Sequence, residues 1–555
     1  MTDDIEQSLS DSIRIIDMYL DEESFDQAME YANRTNEKYQ ALLPQNHPQM
    51  LLLHMKTGTS YAGKDLFNEA MQAFMKGLQI RKELNEHEIA EAEIRVSIGK
   101  CYYHLHNDKE AMEWVMNGLD LYCQDPAPDP GKMGIAYGAI ADILNSQCNY
   151  QEAIEWYFKA IEHNEKNYGR KNEYNGTLHL NLARAYRFSR QLNKALAAAQ
   201  KALSVFDKQA VRNTTDIAVT QSIIALLLEE TGQNAKANEF LTKVKTTYDK
   251  DHALTRSTKL LLAIDIGQFH LMKKDAQQAS AWLLKAVAIA EKDHDKYAYH
   301  AAIAAQGLGY VYESQQNYQL AIKWYEKQFN ACLKRFGPRH QQTADSLVKI
   351  ANCRTLSGQV EKAAEELKQA IDILLECSND PMNHSLTLAY LLTAKNHYEQ
   401  KQYEPAEQYY LKSLETISDA GPKQHQTAYL EAVKGLTRLY YDQKNFRKAM
   451  IAVERGIDIA TKLYGAERYA TLMAMCTKAK IYAGMEDYGQ SLNTYAEIIK
   501  ISIKKFGVEG DITKSILADV YQIYERADMP YDITTWLFNK VKIMPTNRIP
   551  KKRKR

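Results

Sequence analysis

The feature that most constrains this chain is a small residue that returns about every 42 positions. It is Ala in eleven cases and Ser in the last, and successive members lie 41–43 residues apart. Twelve positions earlier, a second Gly or Ala recurs with the same period in ten of the stretches. Two helices that cross at close range need such residues, because overpacking a contact costs about 1–3 kcal/mol. The pattern predicts an array of helix pairs, one per repeat. The series consists of Ala28, Ala70, Ala111, Ala153, Ala195, Ala237, Ala279, Ala321, Ala363, Ala406, Ala449 and Ser491.

The stretch 149–169 shows the rule in full. It reads as one amphipathic helix with Ala153, Tyr157, Ala160 and Ile161 on one stripe, followed by Gly169, where a left-handed residue would end the helix. The same aromatic-Gly ending returns at whole numbers of repeats. The pairs are Tyr168-Gly169, Phe336-Gly337, Tyr464-Gly465 and Phe506-Gly507.

The sequence therefore predicts an all-α fold, a right-handed α-solenoid superhelix of about 12 helix-turn-helix repeats that ends in a capping helix pair. Residues 1–12 are expected to form an acidic N-terminal segment, and 13–510 the array of 41–43-residue repeats. Residues 511–543 are expected to form the C-terminal cap. Residues 544–555 are predicted to be a disordered basic tail.

Two of the repeats carry a family signature. Gly58, Tyr61, Ala70 and Phe74 follow the order Gly-x-x-Tyr, then Ala-x-x-x-aromatic, and Gly309, Tyr312, Ala321 and Tyr325 repeat it. The chain resembles the tetratricopeptide-repeat (TPR) proteins, and its long period resembles the kinesin-light-chain type of repeat. The resemblance implies the fold and a peptide-binding groove. It does not imply a kinesin light chain, because no heptad coiled coil precedes the array.

Composition narrows the class of protein. The 70 basic and 70 acidic residues cancel, and six of the basic ones lie in the last eight positions, which leaves a mildly acidic body. Such a body argues against specific nucleic-acid binding. The seven cysteines form no CxxC pair, which is typical of reduced thiols in an intracellular, cytoplasmic protein. We expect no signal peptide and no contact with a membrane.

No catalytic or cofactor motif occurs in the sequence. Phosphate loops, GxGxxG, GxSxG and HExxH are all absent. The histidines His270, His340 and His425 fall at repeat phases or between repeats, where packing or helix capping is the expected role. We therefore predict a protein that is not an enzyme, with no cofactor and no metal site.

The residues that would bind a partner lie on the first helices, beside the small position. In helical arrays of this kind those helices line the concave face. Arg184 and Arg187 lie one turn apart near Asn181, and together would hold a carboxylate or a phosphate. The alternative is that they are solvated or paired with acids of a neighbouring repeat. The candidate partner-binding residues are Asn145, Asn181, Arg184, Arg187, Gln268, Tyr310 and Asn352.

The tail is the second candidate site. Five consecutive cations follow Pro550, namely Lys551, Lys552, Arg553, Lys554 and Arg555. They resemble a nuclear-localisation signal, which in a nucleated cell would direct nuclear import. The alternatives are a solubilising tail and a nonspecific contact with polyanions.

The function predicted from the sequence is a protein–protein interaction scaffold, or adaptor, that binds a peptide or a domain of a partner in its concave groove. The alternative is a regulator that resembles bacterial peptide-pheromone receptors, whose superhelix compacts when a peptide binds. The sequence leaves open whether the protein forms homo-oligomers.

Overall fold

The computed structural model describes residues 2–542 apart from 23, 45, 85–88, 106, 125–128, 209–213, 252–253, 378–383, 418–422, 528 and 530–531. The described residues contain helices and no strand. In chain order the helices are α1 Thr2–Asp21, α2 Phe25–Tyr39, α3 Pro48–Gly63, α4 Phe67–Leu84, α5 Ile89–His104, α6 Asp108–Gln124, α7 Pro130–Ser146, α8 Tyr150–Tyr168, α9 Glu173–Phe188, α10 Leu192–Phe206, α11 Thr214–Glu230, α12 Asn234–Lys250, α13 Arg256–Met272, α14 Ala276–Ala290, α15 His294–Ser314, α16 Tyr318–Phe336, α17 Gln341–Leu356, α18 Val360–Cys377, α19 His384–Glu399, α20 Tyr403–Glu415, α21 Lys423–Asp442, α22 Phe446–Tyr464, α23 Tyr469–Gly484, α24 Tyr488–Phe506, α25 Asp511–Arg526 and α26 Ile533–Val541.

The chain divides into an N-terminal unit, residues 1–311, and a C-terminal unit, residues 312–555. In the helix pairs from α1–α2 to α13–α14 and from α17–α18 to α23–α24, an odd-numbered helix packs against the even-numbered helix that follows it. The second helices from α2 to α12 and from α16 to α24 also pack against the first helix of the next repeat. This confirms the predicted all-α repeat architecture. The number of repeats and the capping role of α25 and α26 stay predictions.

One helix covers the predicted N-terminal segment and the start of the predicted array. Helix α1 runs from Thr2 to Asp21 and passes through the predicted limit at residue 12. Leu9 is fully buried together with Ile13 and Ile16, because the apolar stripe of the first repeat begins before that limit.

The predicted small-residue register sets how the two helices of a repeat meet. All twelve members of the series are fully buried. At three of the positions where the first-helix residue is Gly, a Cβ atom would come within 2.5–2.7 Å of a large side chain four residues after the second-helix Ala. Such an approach leaves no room for even a methyl group. The facing pairs are Gly58 with Phe74, Gly99 with Val115, and Gly267 with Leu283.

Two kinds of tight backbone punctuate the repeats. The predicted glycine stops have φ of 78–97° and ψ of 153–177°, a region that is open essentially to glycine alone. Six residues after each stop, a Thr or Asn side chain donates to the glycine carbonyl, as from Thr343 to Gly337 at 2.9 Å and from Asn175 to Gly169 at 2.9 Å. This bond fixes the start of the next repeat.

The second kind of turn joins the two helices of one repeat. The residue five positions before the buried Ala or Ser has a positive φ in ten repeats, although only two of the ten are glycine. A left-handed non-glycine residue costs about 1–2 kcal/mol, so packing of the helix pair must compensate for it. These residues are Asp65, Cys148, Arg190, Gly232, Lys274, Gln316, Gly358, Lys401, Lys444 and Glu486.

None of the helices in the described part of the chain has both the length and the apolarity that crossing a bilayer requires.

Candidate functional site

Four first helices of the N-terminal unit, α7, α9, α11 and α13, form the surface that we call the inner face. Each contacts the next one directly, so that polar side chains from different repeats meet there. Five of the seven predicted partner-binding residues lie on these helices: Asn145 on α7, Asn181, Arg184 and Arg187 on α9, and Gln268 on α13.

The first cluster on the inner face is centred on Asp142. Its Oδ1 accepts a hydrogen bond from the Tyr157 hydroxyl at 2.6 Å and another from Asn181 Nδ2 at 3.0 Å. We call Tyr157, Asp142 and Asn181 the N-terminal brace, because they join α8, α7 and α9. Burial raises the pKa of Asp142, although the two hydrogen bonds and nearby cations oppose that shift. Burial and the adjacent carboxyl raise the pKa of Tyr157.

Arg184 extends this cluster. Among the described residues it makes a single hydrogen bond, from Nη1 to Asn181 Oδ1 at 3.0 Å. Its charge also acts on Asp142 and on Asp265 of α13. Arg184 is thus held in place through Asn181 while most of its five N–H donors remain available.

Arg187 has its partner within the chain. Its Nε and Nη2 donate to Oε1 of Glu230 on α11 at 2.9 and 2.8 Å, and the two side chains are 16% and 14% exposed. Next to it, Lys273 Nζ lies 2.9 Å from Glu229 Oε2. Pairing with an acid of the neighbouring repeat is the alternative that the sequence left open for Arg187. Of the two arginines that were predicted to hold one anion, only Arg184 has no acid paired with it among the described residues.

The far end of the inner face carries a second buried acid. Ser222 Oγ donates to Asp265 Oδ2 at 2.5 Å, which joins α11 to α13. Burial raises the pKa of Asp265, against the hydrogen bond from Ser222 and the nearby arginine charges. Gln268, one turn later, is partly exposed. At the other end, Asn145 Oδ1 is buried and accepts no hydrogen bond from the described residues.

The C-terminal unit repeats the brace. Glu313 accepts from the Tyr325 hydroxyl through Oε2 at 2.7 Å and from Asn352 Nδ2 through Oε1 at 2.7 Å. We call Tyr325, Glu313 and Asn352 the C-terminal brace. Asn352, a predicted partner-binding residue, is therefore bonded within the chain, as Asn181 is. Tyr310 is 56% exposed at the end of the N-terminal unit.

The predicted partner-binding residues did not include the acids that organise these clusters, Asp142, Glu230, Asp265 and Glu313. One signal was present: in both braces the Asn follows the acid by 39 residues, close to one repeat. The spacing identifies pairs on adjacent first helices. It does not show which of the many acids on those helices point at each other.

Two of the three histidines that the sequence analysis singled out, His340 and His270, contact neighbouring residues in the structure. His340 caps α17 by accepting from the Gln342 amide at 3.1 Å, and its ring stacks on Phe336 with centroids 4.3 Å apart. Burial and the charge of Arg335 lower its pKa to about 4, so it is neutral at physiological pH. His270 lies 3.0 Å from Lys245 Nζ and 3.4 Å from Asp275. Packing or capping was the role expected for both.

Two predicted features cannot be placed. The basic tail Lys551–Arg555 and the side chain of His425 lie outside the described residues. Within the described ranges, no group of three or more His, Cys, Asp or Glu side chains has an arrangement that could hold a metal ion.

A family model described as the tetratricopeptide repeat matches residues 132–208, 259–327 and 299–376. The chain contains tetratricopeptide repeats. The matched ranges include most of α7 and α13 and all of α9 on the inner face, and helices α16 and α17 of the C-terminal brace. Tetratricopeptide arrays are interaction modules that bind other proteins, and they are generally not enzymes.

The solved structures that match share little sequence with this chain. The apo form of RapI matches at 14% identity over 63% of this chain and 98% of its own, with a TM-score of 0.44. BtubC (BKLC) from P. vanneervenii matches at 12% identity over 40% and 89%, with a TM-score of 0.37. The nearly identical TPR-like repeats of a putative kinesin light chain from Podosopora anserina match at 18% identity over 36% and 94%, with a TM-score of 0.32. These similarities concern the helical fold. No curated protein matches the chain.

Proposed function

We propose that this tetratricopeptide protein is a non-enzymatic scaffold that binds a segment of a partner protein on the inner face. The observation that carries the proposal is the state of Arg184. It is fixed by Asn181, which is itself bonded to Asp142, yet it makes one hydrogen bond among the described residues. A cation that is held in position but not saturated is suited to a carboxylate, because little side-chain entropy is lost on binding.

The neighbouring contacts support a preformed surface. Arg187 and Glu230 are paired across α9 and α11, and Ser222 and Asp265 across α11 and α13. Together with the bond from Asn181 to Asp142 across α9 and α7, these contacts hold adjacent first helices in register on both sides of Arg184. A partner segment that lies across the helices would meet a surface that needs little rearrangement, which favours affinity.

Affinity purification with quantitative mass spectrometry tests the proposal. The variant is Arg184→Gln, which removes the charge and keeps a polar side chain. The matched control is Arg447→Gln, at an exposed arginine near the start of the second helix α22. We expect Arg184→Gln to reduce recovery of the partner about tenfold, which is the lower end for one hydrogen bond to a charged group, and Arg447→Gln to leave it unchanged.

Circular dichroism separates loss of binding from loss of folding. If both variants are as helical as the wild type and recover the same partners in the same amounts, Arg184 does not bind the partner and the proposal fails. Arg187→Gln is unsuitable as the test, because it would leave the carboxylate of Glu230 unpaired in a position that is 14% exposed.

A further inference from the structure

A lysine lies over an aromatic ring at a fixed place in many of the repeats. The ring belongs to the third residue after the buried Ala, and the lysine to the sixth. The distance from Nζ to the ring centroid is 4.0–5.1 Å, which is within range of a cation–π interaction. The pairs are Trp156 with Lys159, Phe240 with Lys243, Trp282 with Lys285, Trp324 with Lys327, and Tyr409 with Lys412.

The repeat formed by α3 and α4 keeps the lysine and lacks the ring. Lys76 is the sixth residue after Ala70, and the third is Ala73. Both residues line a cavity of about 420 Å³ between α2, α3 and α4. This volume is within the range of about 300–1,000 Å³ that is typical of ligand sites. The cavity is distinct from the inner face, because second helices form two of its walls.

The first helix α3 provides a surface for a ring. His54 lines the cavity four residues before the small residue Gly58. The corresponding residue in the repeat of α7 and α8 is Tyr137, whose ring centroid lies 5.4 Å from that of Trp156. Burial and the charge of Lys76 lower the pKa of His54 to about 4, so its ring is neutral at physiological pH and can stack on an aromatic ring.

Helix α2 provides a hydrogen-bond acceptor. Asn36 lines the same cavity, and its Nδ2 donates to Thr57 Oγ1 at 2.8 Å and to the Ala32 carbonyl at 3.1 Å. Its Oδ1 is buried and receives no donor from the described residues. A buried acceptor of this kind costs free energy unless a donor reaches it. An indole ring carries a single N–H donor and no acceptor.

One other repeat has the same pair of residues, and the histidine of its first helix is more deeply buried. Ala198 and Lys201 occupy the third and sixth positions after Ala195. The histidine of its first helix, His179, is only 8% exposed, whereas His54 is partly exposed. Lys201 therefore offers a matched control for Lys76.

We propose that the cavity between α2, α3 and α4 binds the indole ring of a tryptophan side chain from a partner protein. The ring takes the place that Trp156, Trp282 and Trp324 occupy in their own repeats. Lys76 lies over its face, His54 contacts it from α3, and Asn36 Oδ1 accepts its N–H. The surrounding amide groups of Asn33, Gln40 and Gln72 are suited to the main chain on either side of the tryptophan.

Ligand-observed ¹⁹F NMR with 5-fluoroindole and the full chain tests this site, because a small probe broadens when it binds a protein of 63.5 kDa. We expect the wild type to broaden the signal at millimolar probe. Ala73→Trp should abolish the effect, since its own ring fills the cavity. Lys76→Met should weaken binding about two- to fivefold, and Lys201→Met should not. The probe 5-fluoro-1-methylindole, which lacks the N–H, should bind about fivefold more weakly.

Circular dichroism must show that Ala73→Trp is folded, and the Lys76→Met and Lys201→Met pair does not depend on that variant. The proposal is overturned if the wild type leaves the probe signal sharp. It is also overturned if folded Ala73→Trp still broadens the signal, or if the two lysine variants behave alike. N-acetyl-tryptophanamide should displace the probe, and failure to do so would show that the cavity does not take a tryptophan side chain.

Discussion

The two braces hold the same kind of contact with different residues. In the N-terminal brace the acid is Asp142, one residue after the small Ala141, and in the C-terminal brace it is Glu313, four residues after Gly309. The tyrosine is at the same repeat phase in both, four residues after Ala153 and Ala321. The acid has moved one helical turn, and the tyrosine has not.

The side-chain lengths explain how both arrangements reach the same hydroxyl. Side chains on a helix lean toward its N-terminus, so a residue one turn later can reach back. Glu has one methylene more than Asp and covers that turn, whereas Asp must start closer. The two repeats therefore share the contact between the tyrosine, the acid and the asparagine, although the acid differs in type and in position.

The largest effect is expected from removing the acids. Asp142→Ala leaves the Tyr157 hydroxyl and Asn181 Nδ2 without their acceptor, and Glu313→Ala does the same to Tyr325 and Asn352. Each should lower the local free energy of opening by about 2–4 kcal/mol. Hydrogen–deuterium exchange of peptides from α9 and α17 measures this. If either variant leaves exchange unchanged, that brace is not a stabilising contact.

Exchanging the two acids tests the role of length. Glu313→Asp should lose about 1–2 kcal/mol, because the shorter side chain cannot reach from one turn later to both partners. Asp142→Glu should lose less than about 1 kcal/mol, since a longer acid still reaches the hydroxyl. Equal losses of stability in Glu313→Asp and Asp142→Glu would contradict this explanation by side-chain length.

Removing a single hydroxyl should have a smaller effect. Tyr157→Phe and Tyr325→Phe each delete one hydrogen bond and leave the ring packed, and we expect about 1 kcal/mol from each. Tyr186→Phe is a control, because Tyr186 is buried on α9 outside the braces. A loss at Tyr186→Phe as large as that at Tyr157→Phe would mean that the effect is not specific to the brace.

The smallest effect is expected on the pH dependence of stability. Because burial raises the pKa of Asp142 above its ordinary value of 3.8, the folded chain retains a proton that the unfolded chain releases. The contribution of Asp142 to stability is therefore full at low pH and is lost as the pH rises from 3.8 through the pKa of the folded state. Asp142→Asn should flatten this fall in thermal scans between pH 3 and 7, on the order of 1 kcal/mol or less.

The contribution of Glu407 to stability should depend on pH in the opposite direction to that of Asp142. Burial acts to raise its pKa, but hydrogen bonds from Tyr440 and Lys448 outweigh that and lower it. Its contribution is present above the unfolded pKa and is lost as pH falls. Glu407→Gln should therefore reduce the loss of stability at the acid end of the same scans. The same slope for both variants would refute the assignment of signs.

Much of the fold followed from the chain alone. The buried Ala and Ser series, the helix pairs and the glycine stops were all visible, because close helix packing and the combination of positive φ with extended ψ at the stops admit few residue types. The turn within each repeat was missed. Its left-handed residue is Lys, Asp, Arg, Gln, Glu or Cys in eight repeats, so no glycine marks it.

The candidate site was predicted less well. Arg184 and Arg187 stood out as a pair one turn apart, and the structure separates their roles through Asn181 and Glu230. Glu230 lies 43 residues from Arg187, and nothing in the local sequence distinguishes it from Glu229 beside it. The cavity beside Lys76 was also missed, although the absence of a ring at Ala73 is visible once the lysine–aromatic register is known.

The sequence by itself determined the repeat, its register and the positions where only a small residue fits. These features depend on steric exclusion, and the same exclusion recurs at the same position in every repeat. Only the tertiary structure shows which acid pairs with which arginine and which tyrosine donates to which carboxyl group. It also shows that Ala73 leaves a cavity between α2, α3 and α4. Those hydrogen bonds join side chains that are 12 to 43 residues apart, and a hydrogen bond is made or lost over less than one ångström.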